Sequence, residues 1–128
     1  MREDGRETVR IVAYGTLMSG ECNHHVCGKI VKLTPCVIRG NLYDTLRGYP
    51  AFVSGGEGAV AAELIEIPVA VWPEIDALEE YPTLYDRQLI AVKLPDQSTA
   101  EAWVYVMRRL PAAAVPIACG DWRKRDLH

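Results

Sequence analysis

The sequence predicts an α+β fold: a curved or closed mixed β-sheet, barrel-like, with one main helix and short peripheral helices. Two observations carry this. Short β-branched runs recur along the chain, separated by Gly, Pro and Asn punctuation. Only residues 70–80 hold a sustained helical pattern, so few helical crossovers separate the strands and a repeated βαβ array is disfavoured. Residues 1–8 read as a flexible, charged tail, and residues 9–128 as a single domain.

Val9-Arg10-Ile11-Val12-Ala13 reads as a first strand. It stops at Tyr14-Gly15-Thr16-Leu17, where Gly15 permits a turn that other residues resist. Residues 19–27 suit a short helix or loop, with Ser19 as its cap. Lys29 to Ile38 is strand-like, and Pro35 within it argues for an edge or a bulge. Arg39 to Asp44 continues the sheet and then turns. Gly48 to Val53 is a loop leading into a short strand, and Ser54-Gly55-Gly56-Glu57-Gly58 is a turn cluster. Ala59 to Ile67 reads as a buried strand. The helix over residues 70–80 takes Pro73 in its first turn, and Pro82 ends it by disfavouring helical geometry at Tyr81. Arg87 to Leu94 and Ala100 to Met107 form a hairpin around Pro95-Asp96-Gln97-Ser98-Thr99. The C-terminal piece is irregular.

One residue of the helix is out of place. At ~100° per residue, Val71, Trp72, Ile75 and Leu78 form an apolar stripe. Glu79 lies seven residues after Trp72 and four after Ile75, inside that stripe, whereas Glu74 and Glu80 fall outside it. A carboxylate on a buried face loses hydration, and its pKa rises from ~4.3. A carboxyl group raised toward ~6–7 can take and return protons at neutral pH. The alternative for Glu79 is an ion pair with Arg87 or a frayed helix end in water.

Composition narrows the remaining classes. The chain has 128 residues, 49% apolar and 24% charged, with a net charge of −3. No basic stripe is present, which disfavours a nucleic-acid partner. No apolar run approaches the ~20 residues that span a bilayer, and the N-terminus lacks a signal-peptide core. A cytoplasmic protein, monomer or weak homodimer, is the expectation. Cys22, Cys27, Cys36 and Cys119 form no C-x-x-C pair and read as free thiols. Cys22, His24, His25 and Cys27 offer zinc-type ligands, but their spacing matches no standard zinc pattern. No metal and no other cofactor is expected. Arg108-Arg109 and Arg123-Lys124-Arg125 read as solvated faces.

The order of motifs is more specific than any one of them. Val12-Ala13-Tyr14-Gly15-Thr16-Leu17 is followed by Gly20-Glu21-Cys22-Asn23-His24, Gly40-Asn41-Leu42-Tyr43-Asp44, Tyr49-Pro50-Ala51 and Ala62-Glu63-Leu64. Ile75-Asp76-Ala77-Leu78-Glu79-Glu80-Tyr81-Pro82, Tyr85-Asp86-Arg87, Ala102-Trp103-Val104-Tyr105 and Gly120-Asp121-Trp122 complete the series. Over residues 9–123 the chain resembles the gamma-glutamylcyclotransferase-like family, in its small branch near gamma-glutamylamine cyclotransferase. Two departures stand out: Glu80 where the family usually has glycine, and Ile75 for a leucine.

The resemblance implies an enzyme, of lyase or acyl-transfer type, that releases 5-oxoproline and a free amine from a gamma-glutamyl amide or peptide. It implies Glu79 as the catalytic acid/base, with Tyr14, Gly15, Thr16 and Leu17 gripping the glutamyl part. Tyr14 and Tyr85 are chosen as pocket walls. The alternative is a non-catalytic small-molecule binding module on the same fold, since fold alone does not settle activity.

Overall fold

The computed structural model describes residues 7–127. Residues 1–6, most of the expected tail, and His128 lie outside the described residues. The elements run β1 (Thr8–Ala13), a 3₁₀ helix (His24–Cys27), β2 (Lys32–Asp44), β3 (Pro50–Pro68), a 3₁₀ turn (Val69–Val71), α1 (Trp72–Leu78), β4 (Tyr85–Lys93), β5 (Thr99–Met107), β6 (Val115–Pro116) and a C-terminal 3₁₀ segment (Trp122–Leu127).

Strands β1 to β5 close on themselves. The order is β3-β1-β5-β4-β2, and β2 pairs with β3 to complete the ring, while β6 adds to β2. The β1–β5 pair is parallel and the others are antiparallel, so the barrel is mixed. Closure removes the exposed sheet edges that invite aggregation.

The register sorts the strands into two faces, because residues opposite each other share a side. Val12 with Leu64 and Val104, Ala62 with Cys36, and Val60 with Ile38 fill the barrel. Ile11 with Ile65 and Trp103 faces outward. That outer face is not left to water: Ile75 of α1 and Leu17, Met18 and Cys27 of the segment after β1 join the same buried cluster. It is why the first strand reads as a run of apolar residues rather than a clean alternation.

Three expectations change. The glycine cluster at 54–58 does not end a strand. β3 runs through it, and the register jumps from Arg39–Ala59 to Gly40–Ser54, so residues 55–58 bulge out while the chain keeps the same partner. The sequence shows the turn chemistry but not that both flanks pair with β2. Ser19 caps no helix: the first 3₁₀ helix begins at His24, with Asn23 before it, and the Ser19 hydroxyl bonds Glu63 instead. The main helix is shorter than residues 70–80, its first turn being 3₁₀. Of its expected apolar stripe Ile75 is fully buried and Leu78 is exposed.

Candidate active site

At the end of β1 the chain turns outward through Tyr14-Gly15-Thr16-Leu17, and the turn is held by its carbonyls. Gly15 O accepts the Met18 N–H at 3.1 Å and Thr16 O accepts the Asn23 N–H at 2.9 Å. Leu17 O accepts the ring Nδ1–H of His24 at 2.8 Å. The Asn23 side-chain amide donates to Thr16 Oγ1 at 3.0 Å. None of these bonds uses the amide N–H of Gly15, Thr16 or Leu17. Successive backbone N–H groups at a turn of this kind can serve as an anion nest.

Gly15 is required for a reason other than its backbone freedom. It is not among the residues with positive φ. A Cβ placed on it would lie 2.5 Å from Pro50 Cγ and 2.7 Å from Cδ. The start of β3 packs directly on the turn, and only a residue without a side chain admits it.

Glu79 approaches from α1. The helix is anchored by Ile75, and the Glu79 N–H closes the last turn on Ile75 O at 2.9 Å. Glu80 then takes φ 52°, the left-handed position that ends helices. This position favours glycine, which gives a backbone reason for the glycine the family usually carries there. A cis peptide follows between Tyr81 and Pro82.

The turn and the glutamate meet in one small, open cleft of about 20 Å³. Its walls are Val12, Ala13, Tyr14, Gly15, Thr16, Leu17, Tyr49, Pro50, Glu79, Tyr85 and Tyr105. All six residues singled out in the sequence therefore line it. Among its walls are one carboxylate and no Lys, Arg or His. Burial pushes the Glu79 carboxyl up to about 7. Arg87 does not pair with it: the guanidinium bonds Asp76 at 3.0 and 3.1 Å and lies over the rings of Trp72 and Tyr81 at 4.0 and 4.3 Å.

The phenols are walls with their protons committed. Tyr14 donates to Tyr105 O at 2.7 Å and Tyr85 to Pro50 O at 2.6 Å. Burial, then the neighbouring Tyr85 and Glu79, raises Tyr14 well above the ordinary phenol range; burial, then Glu79 and Tyr49, does the same for Tyr85. Both stay neutral at physiological pH. Tyr49 stands edge-on to Tyr85, ring centres 6.3 Å apart.

Five wall residues escaped the sequence reading as site residues: Val12, Ala13 and Pro50, and with them Tyr49 and Tyr105. The two tyrosines lay in motifs that matched the family, and both stand near strand ends, the available signal. Tyr105 joins the wall to the helix: its hydroxyl donates to Asp76 at 2.5 Å and accepts the Trp72 indole N–H at 3.1 Å. Burial, then Asp76, raises its pKa. Cys22, His24, His25 and Cys27 form no metal centre: among the described residues no three metal-ligating side chains come together. Among those residues no helix is long and apolar enough to cross a membrane.

Residues 11–124 match the family model described as gamma-glutamyl cyclotransferase, AIG2-like. The gamma-glutamylcyclotransferase family protein YtfP of Escherichia coli K12 is 33% identical over 118 residues, 92% of this chain and 99% of that one. Gamma-L-glutamyl-butirosin B gamma-glutamyl cyclotransferase of Niallia circulans is 34% identical over 106 residues, 77% of this chain and 67% of that one. A crystal structure of an AIG2-like protein from Mus musculus superposes with a TM-score of 0.73 at 20% identity, over 83% and 81% of the two chains. That last likeness is one of fold. The chain belongs to the gamma-glutamyl cyclotransferase, AIG2-like family.

Proposed function

We propose that the protein converts a gamma-glutamyl amide into 5-oxoproline and a free amine, with Glu79 moving the proton. The observation that carries this is the single carboxylate, raised to about 7 by burial and without an ion-pair partner among the described residues, in the same cleft as the Gly15–Leu17 turn, none of whose amides is used to close it.

The substrate's α-amine attacks its own γ-carbonyl carbon. A C–N bond forms to close the five-membered lactam, and the C–N bond to the leaving amine breaks. Because the attack is intramolecular, effective molarities of ~10⁵–10⁸ M are accessible once the chain is held bent. The α-ammonium must first lose a proton and the leaving nitrogen must gain one. Glu79 accepts the first and returns it to the second; once the C–N bond has formed, the attacking nitrogen gives up a second proton, which Glu79 relays to the departing amine so that it leaves as an ammonium ion and the carboxylate is restored. The amides of Gly15 to Leu17 supply neutral donors for the α-carboxylate or for the developing oxyanion. Neutral donors suit this cleft, since a lysine or arginine there would pull the Glu79 pKa back down. Tyr14, Tyr49, Tyr85 and Tyr105 shape the walls. The substrate class is supported by the Niallia circulans relative, whose name specifies a gamma-L-glutamyl conjugate.

The test is incubation with a panel of gamma-glutamyl amines and peptides, scored for 5-oxoproline by mass spectrometry. Release from at least one member by the wild type, reduced ~100-fold or more in Glu79→Gln, is the expected result. Ligand binding without 5-oxoproline from any member would leave a binding module.

A further inference from the structure

Beside the turn lies a carboxylate more deeply buried than Glu79, which is itself half-buried, and the mechanism does not use it. Glu63 of β3 is 4% exposed. Its oxygens are divided between two groups of a single residue: Oε1 accepts the Ser19 N–H at 2.7 Å and Oε2 accepts the Ser19 hydroxyl at 2.5 Å. Its backbone stands opposite Ala13 in the β1–β3 ladder. Ala13 is the last residue before the Tyr14–Leu17 turn, and Ser19 follows two residues after it. Glu63 therefore holds the turn at both ends, by its main chain at the entry and by its carboxylate at the exit.

The charge is also accounted for. Arg123, in the C-terminal 3₁₀ segment, places Nη1 3.6 Å from Glu63 Oε2. The arginine is itself set by Asp121, whose Oδ1 accepts the Arg123 backbone N–H at 3.0 Å. Gly120 locks that segment to β3, accepting the Ala61 N–H at 2.8 Å. A buried ionised carboxylate is costly unless it is paired and hydrogen-bonded. Glu63 meets both conditions by fastening two separate parts of the chain.

We infer that Glu63 is a positioning residue: through Ser19 it fixes the turn whose amides receive the substrate, and the Asp121–Arg123 segment braces it from behind. This rests on the proposed cyclotransferase reading for its catalytic consequence, and on geometry alone for the clamp itself. An interior leucine would bury as well at this point, but it would leave the Ser19 N–H without an acceptor and the turn's exit untethered.

The experiment compares wild type, Ser19→Ala, Glu63→Ala and Glu63→Gln by melting temperature, by kcat and KM on the gamma-glutamyl amide found in the panel, and by amide hydrogen exchange at Met18 and Asn23, whose N–H groups close the turn. Ser19→Ala removes one donor from the buried Glu63 carboxylate, so it should fold with a melting temperature lowered by a few degrees. Its kcat/KM should fall about 10-fold, the usual worth of a hydrogen bond to a charged group, and exchange at the Met18 and Asn23 amides should quicken. Glu63→Ala should lose about 100-fold, as expected when a reacting group is displaced by an ångström. Glu63→Gln should recover most of this loss, because its side-chain oxygen still accepts the Ser19 N–H and its NH₂ can donate to the hydroxyl. If Glu63→Ala does not fold, Ser19→Ala decides. Unchanged kcat/KM in the folded variants, whatever the exchange rates, would overturn the positioning role. Should the wild type release no 5-oxoproline, the proposed function falls by itself; the clamp is then judged by exchange in Ser19→Ala, supported by faster exchange confined to the turn and overturned by none.

Discussion

Arg87 grips Asp76 at 3.0 Å, three residues before Glu79 on the same helical segment. An arginine that sequence order makes a candidate partner for Glu79 is thereby committed elsewhere, stacked on Trp72 and Tyr81. Among the described residues, the pairing leaves Glu79 with no cation to hold its proton off. Its elevated pKa follows from burial alone.

The first consequence is a pH dependence of rate. Glu79 must be ionised to take the α-ammonium proton, so kcat/KM should fall as pH drops through about 7. The slope should approach one decade per pH unit below that point, since a single group titrates. A profile flat between pH 5 and 8 on a verified substrate would remove Glu79 from the role.

The same shift bears on stability, with a sign that is easily reversed. A carboxyl group whose folded pKa lies above its unfolded value of about 4.5 binds more protons when folded. Stability from this group is therefore greatest below pH 4.5 and is lost as pH rises to about 7. Glu79→Gln, which carries no charge at any pH, should be more stable than wild type at pH 8 by ~1–3 kcal/mol, discounted for the open mouth of the cleft. The gain should vanish near pH 4. Urea denaturation at the two pH values measures it, and a variant that loses activity while gaining stability is the pattern expected of a strained functional group.

Gly15→Ala should destabilise the protein by ~1–3 kcal/mol, the usual cost of overpacking. The added methyl would meet the Pro50 ring, whose own carbonyl is held by the Tyr85 hydroxyl. Relief requires the turn or the start of β3 to shift, so kcat/KM should fall too. A shifted urea midpoint together with lower kcat/KM is the expected pair of results.

Glu80→Gly should act in the opposite direction. A non-glycine residue at φ 52° carries a left-handed penalty of ~1–2 kcal/mol, partly offset by the greater freedom glycine gives the unfolded chain. A net gain of up to ~1 kcal/mol in urea is predicted, with kcat unchanged because Glu80 is exposed and burial alone sets the Glu79 pKa.

Much of the site was legible because helical geometry and family motifs converged on Glu79 independently. The wheel found a carboxylate on an apolar face, and the motif gave it a role. The barrel was legible as strands and one helix, but its closure was not. Nothing in the 54–58 glycines shows that the residues on either side share one partner strand; that is a long-range pairing with β2. Gly15 was found for the wrong reason, since contact with Pro50 involves residues far apart in sequence. Ser19 reads as a helix cap because serine competes locally for backbone donors; its real acceptor, Glu63, lies forty-four residues away. Tyr49 and Tyr105 were hidden for the same reason, as walls assembled by folding rather than by neighbouring sequence.

Burial holds the Glu79 carboxyl near neutrality. Carbon-detected NMR of protein labelled at glutamate carboxyls, with the Glu79 signal assigned by its absence in Glu79→Gln, measures that directly. A midpoint close to 7 is predicted. A midpoint near 4.5, the value of an ordinary solvated side chain, would take the proton-transfer role from Glu79.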